Sequence, residues 1–326
     1  MSELSSKPFP VTPRMILQAR KRLEGIIIRT PVKLSKNLSK ISGASVFVKW
    51  ECLQHTGVFK LRGAYNKIAS LPRDVAQQGV VTASTGNHAL AVAYAAQTCR
   101  VPATVVVPHG ASPLKLEKCK QYGATILEHG SNYDEAAAFS IQYTEENQVT
   151  LVHAYADPFV IAGQGTVGYE LLEDLPEVNV VIVPIGGGGL ISGISLWVKT
   201  IDPDIRIIGV QTTATRAFFE NYQAQRLFHV PIEPTIADGL AGNTEQLNLD
   251  MALHNVDDVV LVKEDGLRTV IRWVLDHEQQ TLEPAGVVGI AALLEKQIPI
   301  SQYETVAVIA SGGNIDPRLL EEIRQL

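Results

Sequence analysis

The stretch Val178-Asn179-Val180-Val181-Ile182-Val183-Pro184-Ile185-Gly186-Gly187-Gly188-Gly189 joins a nearly all-apolar run to four consecutive glycines. The run is typical of a strand buried on both faces of a parallel sheet, and residues 190–200 follow it with a helical pattern. Glycines bring no β-carbon, so this turn can approach a ligand closely and direct successive N–H groups towards it. Because a helix N-terminus adds partial positive charge, the glycines predict a cradle for a phosphate group rather than a flexible linker.

The same alternation of strand and helix extends in both directions from this turn. Predicted strands cover residues 31–34, 45–51, 80–84, 103–107, 124–128, 151–154, 206–211, 259–262 and 305–310. Predicted helices cover residues 63–70, 87–98, 113–122 (with Ser112 as N-cap), 133–148, 168–175 and 190–200. The pattern predicts an α/β fold of two doubly wound domains with mostly parallel sheets. We expect a discontinuous large domain, residues 1–79 and 158–326, and a small mobile domain, residues 80–157.

The composition is typical of a globular protein, with 46% hydrophobic and 19% charged residues among 326. The net charge of −6 and the lack of a Lys/Arg cluster argue against a nucleic-acid partner, and no apolar run is long enough to span a membrane. The first eight residues lack the apolar core of a signal peptide, so we expect a cytoplasmic protein. Cys52, Cys99 and Cys119 are scattered without metal-ligand spacing, which predicts reduced, packed thiols.

A single lysine stands between an aromatic and an apolar residue in His55-Thr56-Gly57-Val58-Phe59-Lys60-Leu61-Arg62-Gly63-Ala64. Burial beside such side chains disfavours the charged form of lysine and lowers its pKa, and a neutral amine is a nucleophile. Lys60 is therefore a candidate for a Schiff-base lysine. A solvated charge with its stem on apolar surface is the commoner role of a lysine, and this segment alone does not exclude it.

Three further segments carry polar groups next to predicted strands or helices. Ser84-Thr85-Gly86-Asn87-His88 offers hydroxyls, an amide and backbone N–H groups suited to a carboxylate, although helix capping explains the pattern equally well. Ser311-Gly312-Gly313-Asn314 follows the last strand with a hydroxyl that could meet a ring nitrogen or cap the next turn. Glu283-Pro284-Ala285-Gly286 is a further candidate contact, with a surface carboxylate before a helix as the alternative.

Together these segments resemble those of the fold-type II pyridoxal-phosphate enzymes (tryptophan synthase β-like), and most closely the threonine/serine dehydratase (ammonia-lyase) and serine racemase branch. The resemblance covers residues 26–316 and rests on six ordered segments: Phe59-Lys60-Leu61-Arg62-Gly63-Ala64, Ser84-Thr85-Gly86-Asn87-His88, Gly186-Gly187-Gly188-Gly189, Thr235-Ile236-Ala237-Asp238-Gly239, Glu283-Pro284 and Ser311-Gly312-Gly313-Asn314. It implies pyridoxal 5'-phosphate as the cofactor and a homodimer as the assembly.

The resemblance also implies a role for each matching residue. Lys60 would form the Schiff base with the cofactor and then act as the base at the substrate α-carbon, with Thr85 as the second catalytic candidate. The expected cofactor contacts are Phe59 and Lys60, Asn87 at the phenolic oxygen, Gly186, Gly187, Gly188 and Gly189 at the phosphate, Glu283, and Ser311 at the pyridine nitrogen. The expected substrate-binding residues are Ser84, Thr85, Asn87 and His88.

The implied reaction is a β-elimination. A serine at the ring nitrogen, unlike an aspartate, does not keep that nitrogen protonated, which makes the ring a weaker electron sink. Charge at the α-carbon is then relieved by loss of the β-hydroxyl, so we expect conversion of L-threonine and/or L-serine to 2-oxobutyrate or pyruvate and ammonia. The alternatives are a dehydratase of another β-hydroxy amino acid such as 3-hydroxyaspartate, an amino-acid racemase, and a cofactor-binding module without turnover.

Three features depart from the patterns of relatives. Thr85 stands where racemase-type relatives carry an acid/base serine, and because threonine is stiffer at χ1, racemisation is less expected. The segment Gln211-Thr212-Thr213-Ala214-Thr215-Arg216-Ala217 has no carboxylate where relatives with a divalent cation carry acidic ligands, so we expect no metal site. The chain ends soon after Asn314, so we expect no regulatory domain of the kind found in long biosynthetic threonine dehydratases.

Overall fold

Two separate sheets form the frame of the computed structural model, which describes residues 9–111 and 113–326. The strands are β1 (Val32–Leu34), β2 (Ser45–Trp50), β3 (Val80–Ala83), β4 (Ala103–Val107), β5 (Thr125–Glu128), β6 (Thr150–Leu151), β7 (Val180–Pro184), β8 (Arg206–Thr212), β9 (Asp258–Val262) and β10 (Thr305–Ala310). The larger sheet has the order β1-β2-β10-β7-β8-β9 and the smaller one β5-β4-β3-β6. Within the described residues β1 alone runs antiparallel to its neighbour. The predicted α/β fold with mostly parallel sheets is confirmed.

Helices cover both faces of the two sheets. They are α1 (Pro13–Leu23), α2 (Lys36–Ser42), α3 (Lys60–Ala69), α4 (Arg73–Gln78), α5 (Asn87–Cys99), α6 (Pro113–Gln121), α7 (Tyr133–Asn147), α8 (Pro158–Asp174), α9 (Gly189–Ile201), α10 (Ala217–Ala224), α11 (Gln246–Asn255), α12 (Leu267–Glu278), α13 (Pro284–Leu294) and α14 (Pro317–Arg324), with short 3-10 turns at Glu51–Leu53 and Asp238–Leu240. Over the ranges that the structure describes, none of these helices has the length and apolarity needed to cross a membrane.

Helix α8 begins well before the predicted start at residue 168. Asp157 caps it, because its Oδ1 accepts hydrogen bonds from Phe159 N (2.7 Å) and Val160 N (3.1 Å), and Pro158 fits the first helical position. The prediction missed a local capping signal that was present in the sequence. The expected N-cap Ser112 and the expectation about the first eight residues lie outside the described residues.

Helix α3 begins at Lys60 itself, three residues before the predicted start at residue 63, and packs tightly on α8. A β-carbon at Gly163 would lie 2.5 Å from Arg62 O, so only glycine permits this approach of the two backbones. The close contact fixes the position of the helix that carries Lys60.

The carboxyl ends of the central strands meet at one edge of the larger sheet. Because β10 pairs in parallel with both β2 and β7, the turn after β10 lies beside the turn that begins at Gly186. The strands of the smaller sheet all fall between residues 80 and 151, inside the predicted small domain. The turn after β3, which starts at Ser84, leads directly into α5. Ligands of such folds bind beyond the carboxyl ends of the strands, so these turns define the candidate site.

Candidate active site

Lys60 lies where the segment before α3 meets the turn after β10. Phe59 N donates a hydrogen bond to Ser311 O (3.1 Å), and Val58 forms a β-bridge with Gly312. These contacts fix the backbone just before Lys60 to the serine turn. Two segments that are far apart in the sequence are therefore direct neighbours in the fold.

The amine of Lys60 is held in desolvated surroundings. Nζ donates a hydrogen bond to Ala154 O (2.9 Å) and lies 5.4 Å from the centre of the Phe59 ring. Burial lowers the pKa of Lys60 to about 8, an effect that the negative charge of Glu283 partly opposes. The neutral amine is therefore available at mildly alkaline pH, as a nucleophile or a base requires.

Asn87, the first residue of α5, connects this helix to the start of α13 and to the turn after β10. Its Nδ2 donates to both carboxylate oxygens of Glu283 (2.8 Å each), and its Oδ1 accepts a hydrogen bond from Asn314 Nδ2 (2.8 Å). Asn314 Nδ2 also donates to Thr56 O (2.9 Å). These partners fix the orientation of the Asn87 amide, with its nitrogen facing the carboxylate.

Ser84 and Thr85 are half-buried in the turn between β3 and α5. Gly86 N donates to Ser84 Oγ (3.2 Å), and Gly86 itself is the N-cap of α5, which has no side-chain cap. The segment thus supplies the N-cap residue of α5, but the hydroxyl groups of Ser84 and Thr85 do not serve as its side-chain cap. The turn presents two hydroxyl side chains beside a helix N-terminus, a combination suited to an anionic ligand.

His88 is buried, and its tautomer follows from its hydrogen bond. Nε2 lies 2.9 Å from Val152 O, and since a carbonyl only accepts, Nε2 carries the proton and Nδ1 is an acceptor. Nδ1 has no hydrogen-bond partner among the described residues. Burial, together with the positive charge of Lys60, lowers the pKa of His88 to about 3. The imidazole is therefore neutral, and its contact with a carboxylate would bring no charge attraction.

Residues 186–189 lead from β7 into α9, with Gly188 as the N-cap in a left-handed conformation (φ +96°). A β-carbon at Gly187 would lie 2.5 Å from the Tyr155 ring, and one at Gly188 would lie 2.6 Å from the Phe218 ring. The missing side chains make room for these two neighbouring rings. What the loop offers a ligand is its backbone N–H groups and the N-terminus of α9.

Glu283 and Ser311 are both buried, with 4% and 3% of their surfaces exposed. Glu283 N donates to Gly312 O (3.1 Å), which joins the start of α13 to the turn after β10. The alternative of a surface carboxylate is therefore wrong. The negative charge of Glu283 instead acts on the Asn87 amide and on the Lys60 amine.

Sequence patterns did not single out Tyr155 or Asn248, although both contact the glycine loop. Besides the Tyr155 ring beside Gly187, Asn248 Nδ2 donates to Tyr155 O (3.2 Å) and to Ser192 Oγ (3.3 Å) in α9. The position of Tyr155, directly after the predicted strand over residues 151–154, was the signal that could have placed it near the site. Asn248 lies within α11 and stands in none of the motifs that the sequence analysis used.

Arg62, in the first turn of α3, lies at the centre of a buried ionic cluster. Its guanidinium donates to both Oε atoms of Glu51 (2.8 Å each), both Oε atoms of Glu170 (2.8 Å each) and Thr166 Oγ1 (3.2 Å). Lys49 Nζ also donates to Glu170 Oε2 (2.6 Å), so two positive and two negative charges balance. The cluster joins β2, α3 and α8 close to Lys60 along the chain.

Comparison with known proteins shows similarity along most of the chain. The family model described as "Pyridoxal-phosphate dependent enzyme" matches residues 23–312. An L-threonine ammonia-lyase from Thermotoga maritima is 41% identical over 314 residues, which are 96% of this chain and 78% of that protein. A serine racemase from Arabidopsis thaliana is 37% identical over 92% of both chains. The solved structure of maize serine racemase, at 35% identity, matches with a TM-score of 0.92 over 97% of this chain and 98% of that chain.

These similarities extend across both sheets and all the turns that surround Lys60. The matched region begins within α1 and ends at the turn after β10, so it includes the lysine, the glycine loop and the buried carboxylate together. The sequence identity and the structural match point to the same group of proteins. The chain belongs to the family of pyridoxal-phosphate dependent enzymes.

Proposed function

We propose that this protein is an ammonia-lyase that converts L-threonine and L-serine to 2-oxobutyrate or pyruvate and ammonia by loss of the β-hydroxyl group. The observation that carries the proposal is the desolvated amine of Lys60, held by Ala154 O and close to the Glu283 carboxylate. The relative from Thermotoga maritima named L-threonine ammonia-lyase supports the same substrate class.

The residues around Lys60 fit pyridoxal phosphate. Protein groups fill the space beside Gly187 and Gly188, so the loop's backbone is what remains for a phosphate, next to the positive end of the α9 dipole. A reactive amine suits an aldehyde carbon, and the Phe59 ring lies beside that amine. The proposed contacts of the cofactor are Lys60 at the aldehyde, Phe59 at the ring and Asn87 at the phenolic oxygen. Residues 186–189 would bind the phosphate, and Ser311 would face the ring nitrogen. Glu283 would lie next to Asn87, to which it is hydrogen-bonded.

Each residue then has a defined task in the reaction. When bound, pyridoxal phosphate withdraws electrons from the amino acid and acidifies its α-proton. Lys60 removes that proton, because its lowered pKa provides a neutral amine near physiological pH. Ser84, Thr85 and the N-terminus of α5 bind the substrate carboxylate. The neutral hydroxyl of Ser311 does not hold a proton on the ring nitrogen, which favours departure of the β-hydroxyl over prolonged charge at the α-carbon.

The reaction of Lys60 with the cofactor is expected to depend on pH with a midpoint near 8. Burial lowers the folded-state pKa, so the reactive neutral form increases as pH rises and is complete about two units above that pKa. Below pH 8 the rate should fall about tenfold per pH unit. The measurement is the growth of the absorbance of the lysine-bound cofactor when the protein freed of cofactor is mixed with pyridoxal phosphate. A midpoint near that of free lysine would contradict the desolvated site.

Gly187→Ala is expected to weaken cofactor binding by about tenfold or more. The added methyl group would meet the Tyr155 ring at 2.5 Å, and the shift of loop or ring costs about 1–3 kcal/mol. The matched control is Gly242→Ala, because a β-carbon at Gly242 has nothing within 4 Å and the backbone suits alanine. Equilibrium titration with pyridoxal phosphate compares the two variants, and equal affinities would contradict the tight packing on the loop.

The central experiment measures 2-oxo acid release by the cofactor-loaded protein from L-threonine, L-serine and both 3-hydroxyaspartate isomers. We expect rapid release of 2-oxobutyrate or pyruvate, and the ranking of rates gives the substrate preference. Preferred release from 3-hydroxyaspartate would assign the alternative dehydratase. If the protein binds the cofactor covalently but releases no 2-oxo acid, the lyase proposal is wrong.

A racemase is the second candidate, because two serine racemases are similar over more than nine-tenths of this chain. The residue that distinguishes the two candidates is Thr85. It offers the hydroxyl of the acid/base serine expected in a racemase, but its χ1 angle is more restricted than that of serine. Chiral analysis of the amino acid recovered from the same assays measures D-isomer formation. We expect elimination to exceed racemisation, and Thr85→Ser to raise the share of racemisation.

We also propose that residues 80–157 form a mobile unit that closes over the substrate in a cytoplasmic homodimer. The hydrogen bonds of Asn87 to Glu283 and Asn314 support closure, because they join α5 to turns beyond the larger sheet. Small-angle scattering and protease sensitivity should both change when substrate or product is added. Unchanged profiles would count against closure, and sedimentation of the holoenzyme tests the dimer.

A further inference from the structure

Gln211 lies at the base of the glycine loop, fully buried in strand β8. Its Nε2 donates a hydrogen bond to Ile185 O (3.2 Å), the carbonyl immediately before Gly186. Ile185 N in turn donates to Val210 O (2.9 Å), so both backbone groups of Ile185 are bonded to β8 or its side chains. Ile185, the last residue before the loop, is therefore held by the backbone of Val210 and by the side chain of Gln211, both in β8.

The second hydrogen bond of the same amide reaches helix α10. Gln211 Oε1 accepts from Phe219 N (2.9 Å) in the first turn of that helix, where backbone N–H groups have no partner within the helix. The preceding residue, Phe218, is the one whose ring fills the space beside Gly188. A single amide thus holds both the start of the loop and the helix that supports its third glycine.

This arrangement needs a donor and an acceptor on one side chain. An ionised carboxylate at residue 211 could accept from Phe219 N, but its second oxygen would face the Ile185 carbonyl with no proton between them. The following turn is closed by its own hydroxyls, because Thr215 N donates to Thr212 Oγ1 and Thr212 N donates to Thr215 Oγ1 (3.2 Å each). The turn that directly follows Gln211 is therefore closed by neutral hydrogen bonds between Thr212 and Thr215.

We propose that Gln211 is a positioning residue for the phosphate cradle, residues 186–189, and sets the affinity for the cofactor's phosphate group. It contacts neither cofactor nor substrate in this proposal and acts through Ile185 and Phe218. The inference rests on the proposed role of residues 186–189 as the phosphate site. It assigns to the Gln211 amide the task of joining β7, β8 and α10 beneath that site.

The test compares the affinity of the full chain, freed of cofactor, for pyridoxal phosphate and for pyridoxal, which lacks the phosphate. The Kd for pyridoxal divided by the Kd for pyridoxal phosphate measures how much the phosphate contributes to binding. Gln211→Met retains the approximate size of the side chain but removes both hydrogen bonds. We expect this variant to reduce the ratio by about tenfold while its affinity for pyridoxal stays within about twofold of that of the unsubstituted protein.

Gln54→Met is the matched control. Gln54 is also a buried glutamine whose amide bonds both the N–H and the C=O of Ile28, and its Oε1 accepts a further hydrogen bond from His55 N (3.2 Å). Among the described residues it makes no hydrogen bond to the glycine loop. Its replacement should lower the melting temperature as Gln211→Met does, yet leave the ratio of Kd values unchanged. Equal changes in the ratio for the two variants would overturn the assignment to Gln211.

Gln211→Glu gives an independent test if the methionine variant does not fold. Burial raises the pKa of the introduced carboxyl group, and its protonated form can donate to Ile185 O and accept from Phe219 N as the amide does. The Kd ratio of this variant, divided by the Kd ratio of the unsubstituted protein at the same pH, should therefore approach one at low pH. This relative ratio should fall as pH rises. A pH-independent relative ratio would overturn the proposal. If the unsubstituted protein itself binds both compounds equally, the phosphate site is wrong and this inference fails with it.

Discussion

Lys60→Ala is expected to lower 2-oxo acid release by about 10⁴-fold or more, and to abolish the absorbance of the lysine-bound cofactor. The substitution removes the only group at this position that can react with an aldehyde, and it removes the proposed base at the substrate α-carbon. The Lys60 amine donates its hydrogen bond to a backbone carbonyl, Ala154 O, and the buried Glu283 carboxylate keeps its two hydrogen bonds from Asn87 when the amine is removed. The fold should therefore survive, as far-ultraviolet circular dichroism can show.

The control for this variant is Lys67→Met, about two turns further along α3. Lys67 pairs with Asp157 (Nζ to Oδ2, 2.6 Å) and lies over the Phe159 ring, away from the proposed reaction. Its replacement should leave the turnover rate within about threefold. A small primary amine such as methylamine, added to Lys60→Ala, is expected to restore part of the activity by supplying the missing base. Full activity of Lys60→Ala without added amine would refute both proposed roles of the lysine.

Arg62→Met is expected to lower the free energy of unfolding by about 3–5 kcal/mol. Burial opposes the ionisation of Glu170, yet the hydrogen bond and charge of Arg62 outweigh it and hold the pKa of that carboxyl below its usual value. Without the guanidinium, Glu51 and Glu170 lose their shared partner in a region without solvent, and Lys49 can neutralise only one of them. The remaining unpaired charge is the source of the loss.

Urea unfolding with linear extrapolation measures this effect, and Arg29→Met is the matched control. Arg29 also bonds two carboxylates, Glu173 (2.7 Å) and Asp174 (2.5 Å), but its side chain is half-exposed. Water can solvate the carboxylates left behind, so the control should lose no more than about 1 kcal/mol. Similar losses for the two variants would mean that burial does not set the energy of the Arg62 cluster. Adding Glu51→Gln to Arg62→Met should recover part of the stability.

Much of the fold could be read from local patterns. Apolar runs such as the one over Val180–Pro184, followed by glycines and a helical segment, gave the parallel α/β architecture, because hydrophobic periodicity reports directly on burial. The chemistry of Lys60 also had a local basis, since its apolar neighbours in sequence contribute to its desolvation. The early start of α8 could have been found as well, because Asp157 and Pro158 form a local capping signal.

The partners of the side chains were decided by the tertiary structure alone. The hydrogen-bond partners of Arg62 come from the turn after β2 and from α8, and no periodic pattern links those segments. Glu283 proved to be buried against Asn87, and the space beside Gly187 proved to be taken by Tyr155. Local sequence determines which elements form and which faces are apolar. Which turns meet depends on the order in which strands pair, and that order sets the contacts of Lys60, Gln211 and the glycine loop.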